Sequence, residues 1–144
     1  MLEAKKISEV LGGPKVLGQA VNDSLAMDKL IVKGMPVKAA VVLKNRLNIK
    51  SYFKLIGISE KQFGRYIDSN KALPLKTGDQ VFRVAKIYKL AMDVFENNAQ
   101  SAISWLSDPQ PGLNNKTPFS LLRTEAGARE VEELLYRIEY GMLA

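Results

Sequence analysis

Along nearly the whole chain apolar residues return every three or four positions, a spacing that suits helices and little else. The clearest instance is TEAGAREVEELLYRIEYG, residues 124–141. Ala128, Val131, Leu134, Leu135 and Ile138 form one stripe, Thr124 stands at the cap position, and Gly141 stops the run. Alternating runs that would mark half-buried strands are nearly absent. Glycine, proline and Asn/Asp/Ser punctuation then predicts helices at 3–11, 14–20, 24–33, 36–47, 50–56, 60–68, 76–96, 98–106, 117–122 and 125–140. An all-α fold follows. The one irregular stretch is SDPQPGLNNKTP, residues 107–118, where two prolines hold the chain extended and Asn114-Asn115 tolerate left-handed backbone.

The chain has 144 residues, enough for one domain or two small helical modules. No run approaches the ~18 consecutive apolar residues of a membrane span, and MLEAKKISEVLGG lacks a signal-peptide apolar block. No membrane partner and a cytoplasmic location are therefore expected. Cysteine and histidine are both absent, which removes disulfides, thiolate chemistry, Cys/His metal sites and histidine-based triads. Gly12-Gly13 leads into Pro14 rather than a lysine-serine phosphate loop. A non-enzyme with no catalytic residue, no metal and no cofactor is the expected class.

Charge is unevenly distributed. Residues 1–93 hold 17 Lys/Arg against 8 Asp/Glu, a net +9, whereas residues 94–144 hold 4 against 7, a net −3. A basic front suits a polyanion and an acidic rear suits something else. Within the front, SYFKLIGISEKQFGRYIDSNKALPL (residues 51–75) has the layout of a helix-turn-helix. A helix over 51–56 meets Gly57, whose missing Cβ permits the positive φ of a tight turn. Ile58 turns inward and Ser59 caps the next helix, in which Phe63, Tyr66 and Ile67 share one face. Ser59, Lys61, Gln62, Arg65 and Ser69 occupy the others, a set able to pair with base edges and phosphates. Lys71 and Lys76, just past the helix, suit phosphate contacts. The competing reading is an ordinary helical corner with a solvated polar face.

The last ~50 residues read as a small separate module. Trp105 and Leu106 end a helix, and Thr117-Pro118 start a short one, threonine capping and proline in the first turn. The stripe of the final helix is expected to pack on Trp105 and on the long helix 76–96. Glu125, Arg129, Glu133 and Arg137 alternate in sign along another face, and Tyr136 and Tyr140 add aromatic surface of the kind enriched at binding hot spots. An acidic ladder of this kind can equally be a solvated face.

WLSDPQPGLNNKTPFSLLRTEAGAREVEELLYRIEYG (residues 105–141) resembles the shared C-terminal domain of the Xre/ParS/MbcA antitoxins, partners of RES-domain toxins. The matching positions are Trp105-Leu106, Leu113, Lys116-Thr117-Pro118, Leu121-Leu122, Thr124, Gly127, Val131 and Gly141. Asn114-Asn115 stand where glycines are common in that family, and Ser120 replaces a frequent acid. The resemblance implies an antitoxin with an Xre-like DNA-binding part and a small helical toxin-binding C-terminal domain. It further implies a NAD-degrading RES-domain toxin as partner and operator DNA as the second partner; a homodimer within the complex is expected because helix-turn-helix proteins usually read paired half-sites. The chain would then divide into an N-terminal helical extension (1–35), a helix-turn-helix domain (36–93) and a toxin-binding domain (94–144). Glu133, Tyr136, Arg137, Tyr140 and the tail Met142, Leu143 and Ala144 become the expected toxin contacts, covering the toxin's active-site entrance. The alternative is a stand-alone helix-turn-helix regulator whose C-terminal domain only dimerises.

Overall fold

The computed structural model describes residues 3–141. Among them the only extended pairings are two isolated bridges, Pro36 with Ala72 and Gln110 with Lys116; everything regular is helical. The chain parts into two units between Ala85 and Lys86, inside its longest helix. The functional divisions expected at 35/36 and 93/94 remain proposals; the geometric one falls between them.

The first unit contains α1 (Ala4–Val10), α2 (Gly13–Leu17), α3 (Ser24–Lys33), α4 (Val37–Leu47), α5 (Tyr52–Ile56), α6 (Glu60–Ser69) and the start of α7 (Leu75–Val94). Its core is aliphatic: Ile7, Leu11, Leu17, Met27, Met35, Leu43, Leu47 and Ile56 are almost fully withdrawn from water. Burying such side chains contributes about 1.5–3 kcal/mol each, the main force holding short helices that would not persist alone. Helix α2 is shorter than expected, ending at Leu17 because Gly18 turns left-handed at φ 79°. It packs against α1 and α4, so the first helices share a core with the helices that follow.

Tyr52 anchors the middle of this unit. It is 1% exposed and donates its hydroxyl to the Ala40 carbonyl of α4; burial holds the phenol in its protonated, donating form. Gln80 of α7, also buried, donates from Nε2 to the Leu55 carbonyl at 2.9 Å, satisfying the end of α5. Ahead of α4, Leu73 donates its N–H to Met35 at 2.8 Å, which pins the chain leaving α6.

The second unit holds the end of α7, α8 (Ala99–Ser107), α9 (Pro118–Leu121) and α10 (Glu125–Glu139). The stretch expected to be irregular instead contains a 3-10 turn, Pro111–Leu113. Gln110 organises it: its N–H reaches Lys116 at 3.1 Å, its carbonyl accepts from Leu113 and Asn115, and its side chain donates to Trp105. Asn114 and Asn115 are left-handed at φ 55° and 61°, which explains why glycine also suits these positions.

Thr117 and Thr124 cap α9 and α10, accepting from Ser120 at 3.2 Å and Gly127 at 3.0 Å. A Cβ on Gly127 would lie 2.1 Å from the Leu121 carbonyl oxygen, so only glycine lets α10 start against the end of α9. Along α10, Ala128, Val131, Leu134 and Leu135 are buried as expected, while Ile138 at the far end is half-buried.

Candidate functional site

The helix-turn-helix expected over 51–75 is built by α5, Gly57 and α6. Gly57 ends α5 at φ 77°, Ile58 is buried behind it, and the Ser59 hydroxyl accepts the Gln62 N–H at 3.1 Å. A phenylalanine at position 53, where many such motifs have a small residue, is accommodated at the edge of the core. Phe53 is half-buried and meets Phe63 and Tyr52 edge-on, at 5.2 and 5.8 Å between ring centres. The Lys44 ammonium sits 5.9 Å from its ring.

Phe63 is the one buried side chain of α6. Tyr66 is half-buried, and Ile67, expected on the inward face, is 47% exposed. The rest of the helix faces water, including Lys61, Gln62, Arg65 and Ser69. Gln62, Arg65, Ser69 and Lys71 converge with Tyr66 on one concavity of about 210 Å³. Four expected contact residues thus come together, and Tyr66, read from sequence as an inward residue, joins them. Ser59 and Lys61 do not line it. Two of the hydroxyls have local work: Ser59 caps the helix, and Ser69 donates to the Arg65 carbonyl at 2.7 Å. Their remaining lone pairs can still accept. The unit around this surface carries 15 Lys/Arg against 7 Asp/Glu.

The second candidate surface is the far part of α10. Glu133, Arg137 and Tyr140 are exposed, the last by 69%, and Tyr136 is half-buried. The two tyrosine rings stack 12° from parallel at 6.2 Å. Stacking one turn apart presents a flat apolar slab with hydroxyls at its rim, the form that contributes contact area at low entropic cost. Of the alternating charges, Glu125 and Arg129 pair at 3.7 Å, whereas Glu133 and Arg137 make no ion pair with each other. Lys86 joins α10 instead through Glu132, at 3.3 Å. Met142, Leu143 and Ala144, expected as contacts, lie outside the described residues.

Trp105, expected beneath the α10 stripe, is half-buried beside Phe95, with ring centres 6.1 Å apart. The two rings flank an open hollow of about 480 Å³ whose other walls include Ser104, Asp108 and Gln110. Among the described residues no group of three or more carboxylates could hold a metal ion, and no helix is long and apolar enough to cross a membrane.

Residues 90–141 match the family described as the antitoxin Xre/MbcA/ParS C-terminal toxin-binding domain. The chain is 32% identical to antitoxin Xre of Yersinia enterocolitica over 88 residues, 61% of this chain and 60% of that one. It is 25% identical to antitoxin Xre of Photorhabdus laumondii over 120 residues, covering 82% and 81% respectively. Over 75 residues it is 36% identical to antitoxin Xre of Pseudomonas putida, 52% of this chain and 46% of that protein.

Proposed function

We propose that this chain, a member of the Xre/MbcA/ParS antitoxin family through its residues 90–141, neutralises a RES-domain, NAD-degrading toxin by stoichiometric occlusion. It also represses its own operon by binding DNA as a homodimer. The match of residues 90–141 to a toxin-binding domain carries the first half of this reading. The exposed Tyr140, stacked on half-buried Tyr136, and the exposed Glu133 and Arg137 provide the surface. Any NAD chemistry then belongs to the toxin; this protein needs only to fill its entrance. Co-expression with the RES-domain protein of an adjacent reading frame should rescue growth and yield a complex of defined mass. Growth arrest with both proteins soluble and separate would leave the stand-alone regulator, its C-terminal unit serving only dimerisation.

The second half rests on α6. Its basic surface gains affinity by releasing counterions from phosphate, and paired half-sites on DNA call for paired helices. Replacing Lys61 and Arg65 with alanine should weaken operator binding by ~1–3 kcal/mol for each base-reading side chain, and flatten its salt dependence. A gel shift at physiological salt reads this directly. Unchanged binding would move the DNA surface away from α6.

A further inference from the structure

Helix α3 is apolar on two opposite sides. Met27, Leu30 and Ile31 point into the core and are buried. On the other side Leu25 is 81% exposed and Val32 60%. Of the large apolar side chains exposed among the described residues, only these two share a helix, and they stand two turns apart on one line. A single exposed leucine is ordinary; an aligned pair on a helix already packed on its other side is a face without a partner. Neither the toxin-facing surface of α10 nor the DNA-facing surface of α6 includes it.

Two charges complete the face. Leu25, Asp28, Lys29 and Val32 are spaced three and four apart, so they adjoin along α3, and Asp28 and Lys29 are exposed as well. At 3.6 residues per turn, Asp28 falls about 50° to one side of the Leu25–Val32 line and Lys29 about 50° to the other. The first turn beneath them is anchored: Asp23 caps α3, accepting the Ala26 N–H at 2.8 Å. An apolar line with an acid on one flank and a base on the other can be the complement of its own copy.

We infer that two copies of this chain meet through α3, the helices side by side and running the same way about a two-fold axis. The inference rests on the homodimer reading and gives it an interface. Such an axis sets Leu25 against the partner's Leu25 and Val32 against the partner's Val32. It also exchanges the flanks, so each Asp28 carboxylate meets the partner's Lys29 ammonium, once on either side of the seam. Antiparallel helices would bring acid to acid and base to base, which like-charge repulsion disfavours. A lipid surface or an unrelated apolar partner could cover Leu25 and Val32 but would bring no matching pair for Asp28 and Lys29; a second copy brings both. The contact is small, so it suits a dimer that forms in the micromolar range and is completed on paired half-sites.

Sedimentation equilibrium of the full-length protein, without toxin or DNA and up to about 100 µM, tests this. Leu25→Glu should weaken self-association about a hundredfold, because it sets two acids against each other in the seam. Asp28→Lys or Lys29→Asp alone should weaken it about tenfold, leaving like charges on both flanks, and the two changes together should restore it to within about threefold of wild type. These positions are exposed, so circular dichroism should show wild-type helicity; if Leu25→Glu loses helix, the charge exchange alone decides. Dimers that withstand Leu25→Glu, or single reversals that change nothing, would overturn the α3 interface while the homodimer stands. Single reversals that weaken the dimer without rescue by the exchange would overturn the side-by-side pairing. A wild type that stays monomeric throughout would remove the homodimer reading, and this inference with it.

Discussion

Gly127→Ala is expected to lower Tm by about 10 °C, because the added methyl has no space. Its carbon would lie 2.1 Å from the Leu121 oxygen and 3.1 Å from the Thr124 hydroxyl that caps the helix. Both are held: the oxygen belongs to backbone, and the hydroxyl accepts the Gly127 N–H. Relief requires α10 to draw back from α9, which would pull Val131, Leu134 and Leu135 out of register with their core. Overpacking of this kind costs about 1–3 kcal/mol, a sizeable part of the stability of a small unit. Thermal unfolding followed by circular dichroism checks it, and toxin neutralisation should fail in parallel. A Tm within a degree of wild type would mean that the turn between α9 and α10 is looser than its geometry.

Removing residues 139–144 should abolish neutralisation of a RES-domain toxin while sparing both the fold and DNA binding. The cut removes Glu139, Tyr140 and Gly141, all exposed, together with the tail beyond them, and leaves the buried stripe of α10 intact. What is lost is half of the stacked tyrosine pair and everything C-terminal to it. Aromatic anchors at interfaces are commonly worth ~2 kcal/mol or more each. Growth under toxin co-expression reads the first effect and a gel shift the second. Full protection by the truncated chain would rule out occlusion by the end of the chain and shift attention to other faces of the second unit, such as the hollow beside Trp105.

Much of this architecture was legible in the residues, and the gaps share a cause. Periodicity and capping chemistry located α6, the Gly57 turn and the Thr124 cap because these depend on neighbours close in sequence. Periodicity names an apolar face but not what covers it. Hence Ile67, expected inside, is half exposed. Tyr66 was missed as a surface residue for the same reason: a tyrosine on an apolar stripe can bury its ring edge and still show its face. The role of Gly127 was visible only as a family match; its cause, a carbonyl six residues upstream, needed three dimensions.

Gln110 has a wider consequence. One neutral side chain and its backbone close the loop from 110 to 116 and tie it to the end of α8, in a stretch whose prolines and asparagines look like a linker. Such a segment is a clasp. Its entropy has already been surrendered on folding, so it cannot act as a spacer that stretches or as a seam along which the chain divides into transferable parts. Anyone wishing to graft the second unit onto another protein would have to carry the clasp along, beginning upstream of α8 rather than at the prolines.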